Sequence, residues 1–477
     1  MRRAIIVFNS CQSSAQGGAN MDNIPEERSK EILAANEHAE PLADPRRLIV
    51  CFDGTSDLFD ADNTNVVRFV SYLKKEDMSK QQVYYQYSQT GIGTYINPGM
   101  LMPLTVKFLE LADEVVAWNL SDHIMGGYRF LMANWTPGTK ISIFGFSRGA
   151  YTARALAGML HKVGLLSRGN DEQIPFAYKI YAKDTVEGWQ MSAAFQRTFC
   201  HEVTIDFLGV WDTVSSIGLF TIHDLPFSAS NHQIRVFRHA VSLDERRCKF
   251  KANLWHHSTG PPDLDLNAGE ISSTWTRFIR GRNGKVQTNQ EDGIDGPGIS
   301  AYPFTTDVEE IWFAGGHGDV GGGNCDNSVQ SSSNRIPLVW MIREVVLANT
   351  AILFDEEALE ADGIVLPVVR QPKDASMPDN RVSTLDLRYN DDVLSTITDQ
   401  LKAVWAWWML EVLPFTYRVR TEKNGRDSWR LAFWPNFGRP RATPDGRMKV
   451  HVSVHERMQR TNYTPKVRWH EEPMWIE

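Results

Sequence analysis

The stretch ISIFGFSRGAYTAR, residues 141–154, decides how this chain is read. An apolar run of strand character ends in Gly145-Phe146-Ser147-Arg148-Gly149 and passes without a linker into a helical pattern. A serine between two glycines at a strand-to-helix junction is the context that a nucleophile elbow requires. The sharp turn lifts Ser147 clear of the sheet. Gly145 and Gly149, lacking a Cβ, let strand and helix approach one another. Amides at the helix start, that of Arg148 first among them, are placed to stabilise a developing oxyanion. A glycine-rich turn without chemistry has the same letters, because G-x-S-x-G is short and recurs by chance. The strand before it and the long helix after it favour the nucleophile.

Outward from this junction, short apolar runs bounded by turn residues recur at 47–52, 83–87, 203–210 and 310–314, with a less regular one at 235–243. Such runs suit parallel strands buried on both faces. Helical patterns occupy 106–118 and 122–132 before the serine strand and 150–166 after it. The last of these carries Ala153, Leu156, Ala157, Leu160 and Val163 on one face. Alternating strands and helices predict an α/β fold with a mostly parallel central sheet and helices on both faces. Residues 1–44 are polar and rich in small residues and read as a flexible leader, which leaves 45–477 as the catalytic domain. Within it, the Gly/Pro/Asn-rich 254–304 reads as a flexible insertion. Residues 383–477, which include the Trp-rich LKAVWAWWMLEVLPF (401–415), read as a C-terminal extension packed on the core.

Composition removes several classes of function. With 50 Lys and Arg against 58 Asp and Glu the formal charge is −8, so no basic face for nucleic acid is advertised. The five cysteines, Cys11, Cys51, Cys200, Cys248 and Cys325, form no C-x-x-C pair and are odd in number. That speaks against a disulfide framework or a zinc ribbon and for a reducing compartment. The apolar start at 4–8 is too short for a secretory signal, and no apolar run approaches a membrane span, so a soluble, cytoplasmic chain is expected.

A serine hydroxyl needs a base and the base an orienting acid, in the chain order Ser, Asp or Glu, His for sheets of this kind. VTIDFLGVWDTVSSIG (203–218) offers Asp212, and EEIWFAGGHGDVGGG (309–323) offers His317. Both follow a strand's C-terminal end, where open parallel sheets place their sites. Each has a plainer reading: a cap or Asx-turn for Asp212, a loop histidine held by backbone bonds for His317. Asp319 has three candidate roles: orienting the histidine, capping the next turn or binding a metal. It ranks below Asp212, because neighbouring loop positions rarely reach the far side of the same imidazole. Gly321, Gly322 and Gly323 are expected to let the backbone pass close to the site. His239 and Asp244, in RHAVSLDERR (238–247), are expected to be structural.

FDGTSD (52–57) places Asp53 at a strand end, where Gly54 or Thr55 N–H would serve as a second oxyanion donor. A turn in which Asp53 bonds the backbone fits equally. The same letters approach the D-x-D-G-T of haloacid-dehalogenase phosphatases, but Cys51 stands where that chemistry has its nucleophilic aspartate.

Six motifs occur in order: LIVCFDGTSD, FGFSRGAYTARALAGML, FLGVWDTVSSIG, RHAVSLDERRCKF, IWFAGGHGDVGGGN and a tail with WWMLEVLP, GRPR, HVSVHERM and YTPK. Together, over roughly 46–468, they resemble an α/β-hydrolase family formerly of unknown function. That family includes the catalytic domains of type VI secretion phospholipase effectors, and the tail is most similar to its fungal members. The resemblance implies an α/β-hydrolase-like fold and ester hydrolysis by a triad matching Ser147, Asp212 and His317. Gly318 departs from the serine common there.

The expected protein is therefore a serine hydrolase of carboxylic esters, lipid or phospholipid acyl esters first, using no metal and no organic cofactor. The amide of Arg148 and that of Gly54 or Thr55 would form the oxyanion hole, with Asp53 and Asp319 in support. Its partner would be an ester or lipid substrate. A transient membrane-surface contact would run through 254–304 and the tryptophans of 404–415, unless these simply pack the helix onto the sheet. A small-ester or thioester hydrolase is the rival within enzymes. A non-catalytic scaffold is the rival outside them, though it has no need of serine, histidine and acid together.

Overall fold

Leu48, Val50 and Phe52 lie on one face of strand β1 (Arg47–Thr55) and Ile49 and Cys51 on the other, and all five are buried. A strand covered on both faces shows no apolar–polar alternation, which is why RLIVCF reads as one run. A computed structural model of the protein describes residues 45–55, 62–75, 77–88, 105–183, 185–214, 225, 231–255, 305–366, 386–405, 407–412, 414–423, 426–443, 447–469 and 471–477. The described residues from Arg46 onward form one unit.

After β1 come α1 (Asn65–Ser71), β2 (Gln81–Ser88), α2 (Thr105–Asn134), β3 (Lys140–Phe146), α3 (Arg148–Val163), α4 (Ile174–Ala182) and α5 (Val186–Phe199). Then follow β4 (Ile205–Trp211), β5 (Ile234–Ser242), β6 (Asp307–Phe313), α6 (His317–Gly321), α7 (Arg335–Leu347), β7 (Lys449–His451), α8 (Val452–Arg460) and β8 (Met474–Ile476). The sheet order is β8-β7-β6-β5-β4-β3-β1-β2, and every pairing within it is parallel. Helices α2, α3 and α4 pack on the face of Leu48, Val50, Ile141 and Ile143. Helices α1 and α7 pack on the face of Ile49, Cys51, Phe144 and Trp211. This is the α/β-hydrolase-like architecture. β1 pairs with β2 on one side and β3 on the other, so the winding reverses at β1 and a crevice opens at the strand ends there.

Some elements differ from the sequence reading. The two helical patterns before the serine strand are one helix, α2. The helix after it stops at Val163, because Gly164 takes φ 75° and turns the chain. The Trp-rich stretch is not one helix: it breaks into Gln400–Ala403 and Trp407–Glu411, and Pro414 opens a strand that pairs antiparallel with Arg426–Pro435. The C-terminal segment adds β7 and β8 to the sheet, with Met448, Val450, Val454 and Val467 packed on Val241 and Trp312. Residues 1–44 and 256–304, expected as leader and insertion, lie outside the described residues. Among the described residues no helix is long and apolar enough to cross a membrane.

The approach of α3 to the sheet depends on Gly149. A Cβ there would lie 2.3 Å from Asp53 O and 2.4 Å from Phe52 O, both rigid backbone. Gly149→Ala is expected to destabilise by about 1–3 kcal/mol through backbone displacement, read as a lower urea midpoint with unchanged slope. An unchanged midpoint would mean that the helix start yields freely.

Candidate active site

Ser147 stands between β3 and α3 with φ 58° and ψ −121°, a positive-φ conformation that a serine adopts only when its surroundings impose it. They do so from both sides. Its N–H donates to Trp211 O of β4 at 3.1 Å, and its own carbonyl accepts from Tyr151 N at 3.3 Å. Gly145 leaves room beneath the turn, since a Cβ there would sit 2.5 Å from Gly149 O. The elbow reading expects an exposed serine; Ser147 is instead 6% exposed.

Asp212 stands one residue past β4, also at positive φ (40°). Its N–H donates to Ala240 O at 2.7 Å, and His239 Nε2 accepts from Thr213 N at 3.0 Å, which pins the turn. His317 opens α6 just beyond β6. Its Nε2 lies 2.8 Å from Ser147 Oγ and its Nδ1 2.6 Å from Asp212 Oδ2. A carboxylate only accepts, so Nδ1 carries the proton and Nε2 accepts from the serine hydroxyl. Residues 170 and 105 positions apart thus form one buried hydrogen-bonded row at the strand ends. The imidazole lies between rings, with Phe146 at 4.6 Å and Phe250 edge-on at 4.9 Å. Burial lowers the His317 pKa, against the opposing pull of the Asp212 bond.

Sequence reasoning missed what surrounds the acid. Asp212 is fully buried, and burial alone would raise its pKa. The Arg441 guanidinium outweighs that and holds the carboxyl well below the usual range. Arg441 Nη1 donates to Oδ1 at 2.5 Å and Nη2 to Oδ2 at 2.8 Å, while Ser242 N donates to Oδ1 at 2.8 Å. Glu245 Oε2 accepts from His317 N at 3.2 Å and from Arg247 Nη2 at 2.8 Å. The signal for Arg441 was the GRPR of the tail, but nothing local ties a residue 229 positions away to Asp212.

The other expected residues divide. Asp319 does not meet the imidazole nitrogens, whose partners are Asp212 and Ser147. Its oxygens accept from Gly316 N, Thr398 N, Asn324 Nδ2 and Ser333 Oγ, so it caps the histidine loop. Asp53 accepts from Gly54 N and Thr64 Oγ1 at 2.7 Å each and from Tyr85 OH at 2.6 Å. The Gly54 N–H expected as an oxyanion donor is thus turned to its neighbour's carboxylate; Thr55 is the other expected donor. Arg148 begins α3, at the positive end of the helix dipole. Asp244 accepts from Gly315 N, Tyr463 OH and Lys466 N, tying the histidine loop to the C-terminal segment. Gly321 faces Phe146, whose ring would lie 1.8 Å from a Cβ.

Comparison with known proteins adds the following. The model of the T6SS phospholipase effector Tle1-like catalytic domain matches residues 46–344. The uncharacterized protein YEL023C of Saccharomyces cerevisiae is 27% identical over 544 residues, spanning 87% of this chain and 79% of that protein. An uncharacterized protein from Pseudomonas aeruginosa, of solved structure, is similar at 15% identity and a TM-score of 0.33, over 69% of this chain and 48% of its own. The Tle1 effector bound to the VgrG spike of the type 6 secretion system is similar at 17% identity and a TM-score of 0.28, over 60% of this chain and 52% of its own. The chain spans about half the length of both solved proteins.

The Asp212 environment makes stability depend on pH. A carboxyl depressed in the folded state contributes stability above its unfolded value, about 3.9, and loses it as pH falls towards the folded value. Asp212→Asn leaves Arg441 without its buried counter-charge, at a cost of about 3–5 kcal/mol near neutrality. The gap between wild type and Asp212→Asn in urea unfolding should be flat above about pH 5 and close below about pH 4. A gap unchanged down to pH 3 would show that the buried charge is not what the pair stabilises.

Proposed function

Because this chain belongs to the Tle1-like phospholipase effector catalytic-domain family of type VI secretion, we propose that it is a serine hydrolase of carboxylic esters, acting on lipid or phospholipid acyl chains. The observation that carries this reading is the buried row Ser147–His317–Asp212, at 2.8 and 2.6 Å, on the crevice side of a parallel sheet. Ser147 Oγ attacks the ester carbonyl while its proton passes to His317 Nε2. Asp212 keeps the imidazole in the tautomer that accepts and stabilises the imidazolium that results. The amides of Arg148 and Thr55 bind the oxyanion of the tetrahedral intermediate. Its collapse breaks the ester C–O bond, and Nε2 returns the proton to the departing alkoxide. Water, deprotonated by Nε2, then cleaves the acyl-serine, releasing the carboxylic acid and restoring the serine hydroxyl.

The lipid assignment draws support from the surface near the site. Trp405 is 72% and Trp434 60% exposed, with Phe437, Val412 and Trp408 also uncovered. Phe437, Val412 and Trp408 lie together, since Phe437 N donates to Glu411 O and a Cβ on Gly438 would sit 3.1 Å from Trp408 Cη2, and Trp408 N donates to Trp405 O. Trp407, in the same short helix as Trp408, packs on Phe250, which packs on His317. Tryptophan favours the boundary between apolar and wet phases. Lys402 and Arg439, in the same segments as Trp405 and Phe437, are exposed and suit anionic head groups.

Two outcomes test the reading. Ser147→Ala should lose turnover by about 10⁴- to 10⁶-fold and escape a fluorophosphonate probe that labels the wild type. Because burial lowers His317, the acid limb of kcat/KM should have its midpoint below the ordinary imidazole value of about 6.5. Normal esterase activity in folded Ser147→Ala protein would remove the mechanism.

A third outcome tests the substrate class. Trp405→Ala with Trp434→Ala should slow hydrolysis of anionic phospholipid vesicles several-fold more than that of a short soluble ester. Equal loss on both would favour a small-ester hydrolase.

A further inference from the structure

We propose that Arg441 is a positioning residue for this site, aiming Asp212 and Phe250 at the His317 imidazole from a segment beyond the matched family domain. The inference rests on reading Ser147, His317 and Asp212 as a triad. Arg441 spends its donors on three partners around that row. Nη1 and Nη2 meet the two Asp212 oxygens at 2.5 and 2.8 Å, in the planar fork that a guanidinium alone provides. Nε and Nη2 meet Phe250 O at 2.9 and 2.5 Å, and Nη1 meets Ser242 Oγ at 2.8 Å. The last torsion of an aspartate is broad, and without Arg441 only Ser242 N at 2.8 Å and the His317 bond itself would fix where Oδ2 points. Phe250 supplies one of the two rings that flank the imidazole, with Phe146 the other. One buried cation therefore constrains both the hydrogen-bond partner of His317 and a wall of its slot.

The segment carrying Arg441 is itself anchored. Buried Glu411 accepts from Asn436 Nδ2 at 2.6 Å and Gly438 N at 2.8 Å with one oxygen, and from Cys248 N at 2.5 Å with the other. It thus ties the approach to Arg441 to the approach to Phe250. Arg441 lies outside the 46–344 that the family model matches, so in this chain the C-terminal segment completes the site.

The charged groups around His317 and Asp212 are Arg441, Glu245, Arg247 and, behind the Asp212 turn, His239 with Glu310. Without Arg441, either the uncompensated carboxylate raises the basicity of the imidazole or burial protonates Asp212. Both move the acid limb to higher pH.

The test compares Arg441→Met, Arg441→Lys, Asp212→Asn and the Asp212→Asn/Arg441→Met double variant in the full chain, on one soluble short-chain ester, with circular dichroism and melting as fold controls. Arg441→Met should lower kcat by about 100-fold, less than the roughly 10⁴-fold expected on losing the acid, with KM within about threefold. Its acid limb should rise by about one pH unit. Arg441→Lys keeps the charge but not the fork, so kcat should fall about tenfold with the acid limb near that of the wild type. In the Asp212→Asn background, Arg441→Met should add no more than about tenfold, because the part that acts through the acid is already lost and only the Phe250 wall remains. Wild-type kcat and pH profile in folded Arg441→Met, or an undiminished further loss in the double variant, would overturn the proposal. If Arg441→Met does not fold, Arg441→Lys decides: a wild-type kcat there overturns it. An active Asp212→Asn protein would instead fail the triad reading itself, and the proposal with it.

Discussion

A carboxylate taken out of water must be matched or it takes up a proton, and Asp212 is fully buried. Much of the molecule around it follows from that constraint. Arg441 supplies the opposite charge, Ser242 N adds a neutral donor, and His317 takes the remaining direction. The chain brings these groups from β5, from the loop after β6 and from the C-terminal segment, so the charge is matched only once the fold is complete. The buried pair is therefore a condition on the tertiary structure as much as a contribution to it.

Two positions of the hydrogen-bonded row, Ser147 and Asp212, take positive φ although neither is glycine. Such strain persists where neighbours over-determine it. β3, β4 and β5 do so through their register, with Phe146 opposite Trp211 and Trp211 opposite Ala240. Glycine supplies the rest. Gly149 lets α3 begin against the end of β1, and Gly322 at φ 85° passes within reach of Thr64, the cap of α1. The loop after β6 thereby meets the loop after β1 across the crevice, through the Thr64–Gly322 bridge.

The C-terminal segment has three physical tasks. Its strands β7 and β8 extend the sheet beyond β6. Its Glu411 ties two approaches to the site together. Its tryptophans divide by surroundings: Trp407 lies under the Arg247 guanidinium and against Phe250, whereas Trp405 faces solvent. Exposed apolar rings cost hydration, and clustering beside a proposed lipid site gives them a use.

The local pattern was enough for the α/β class, because strands buried on both faces leave continuous apolar runs and helices leave a 3.6-residue stripe. It was also enough to nominate Ser147, Asp212 and His317, since each follows a strand end and carries the turn residues such positions need. Local pattern could not place the helix boundary at Gly164 or the break in the Trp-rich stretch after Ala403, where Val404 turns extended and backbone geometry overrides propensity. Nor could it separate Asp212 from Asp319 by contact: both are loop acids near the right strands, and only the strand order β6-β5-β4 puts Asp212 at His317 Nδ1 while Asp319 turns back to Gly316 and Thr398. Arg441 was legible only as a letter in GRPR. A charge pair across 229 residues leaves no periodicity or spacing in the chain, so its partner exists only after the sheet has brought β4, β5 and the C-terminal segment together.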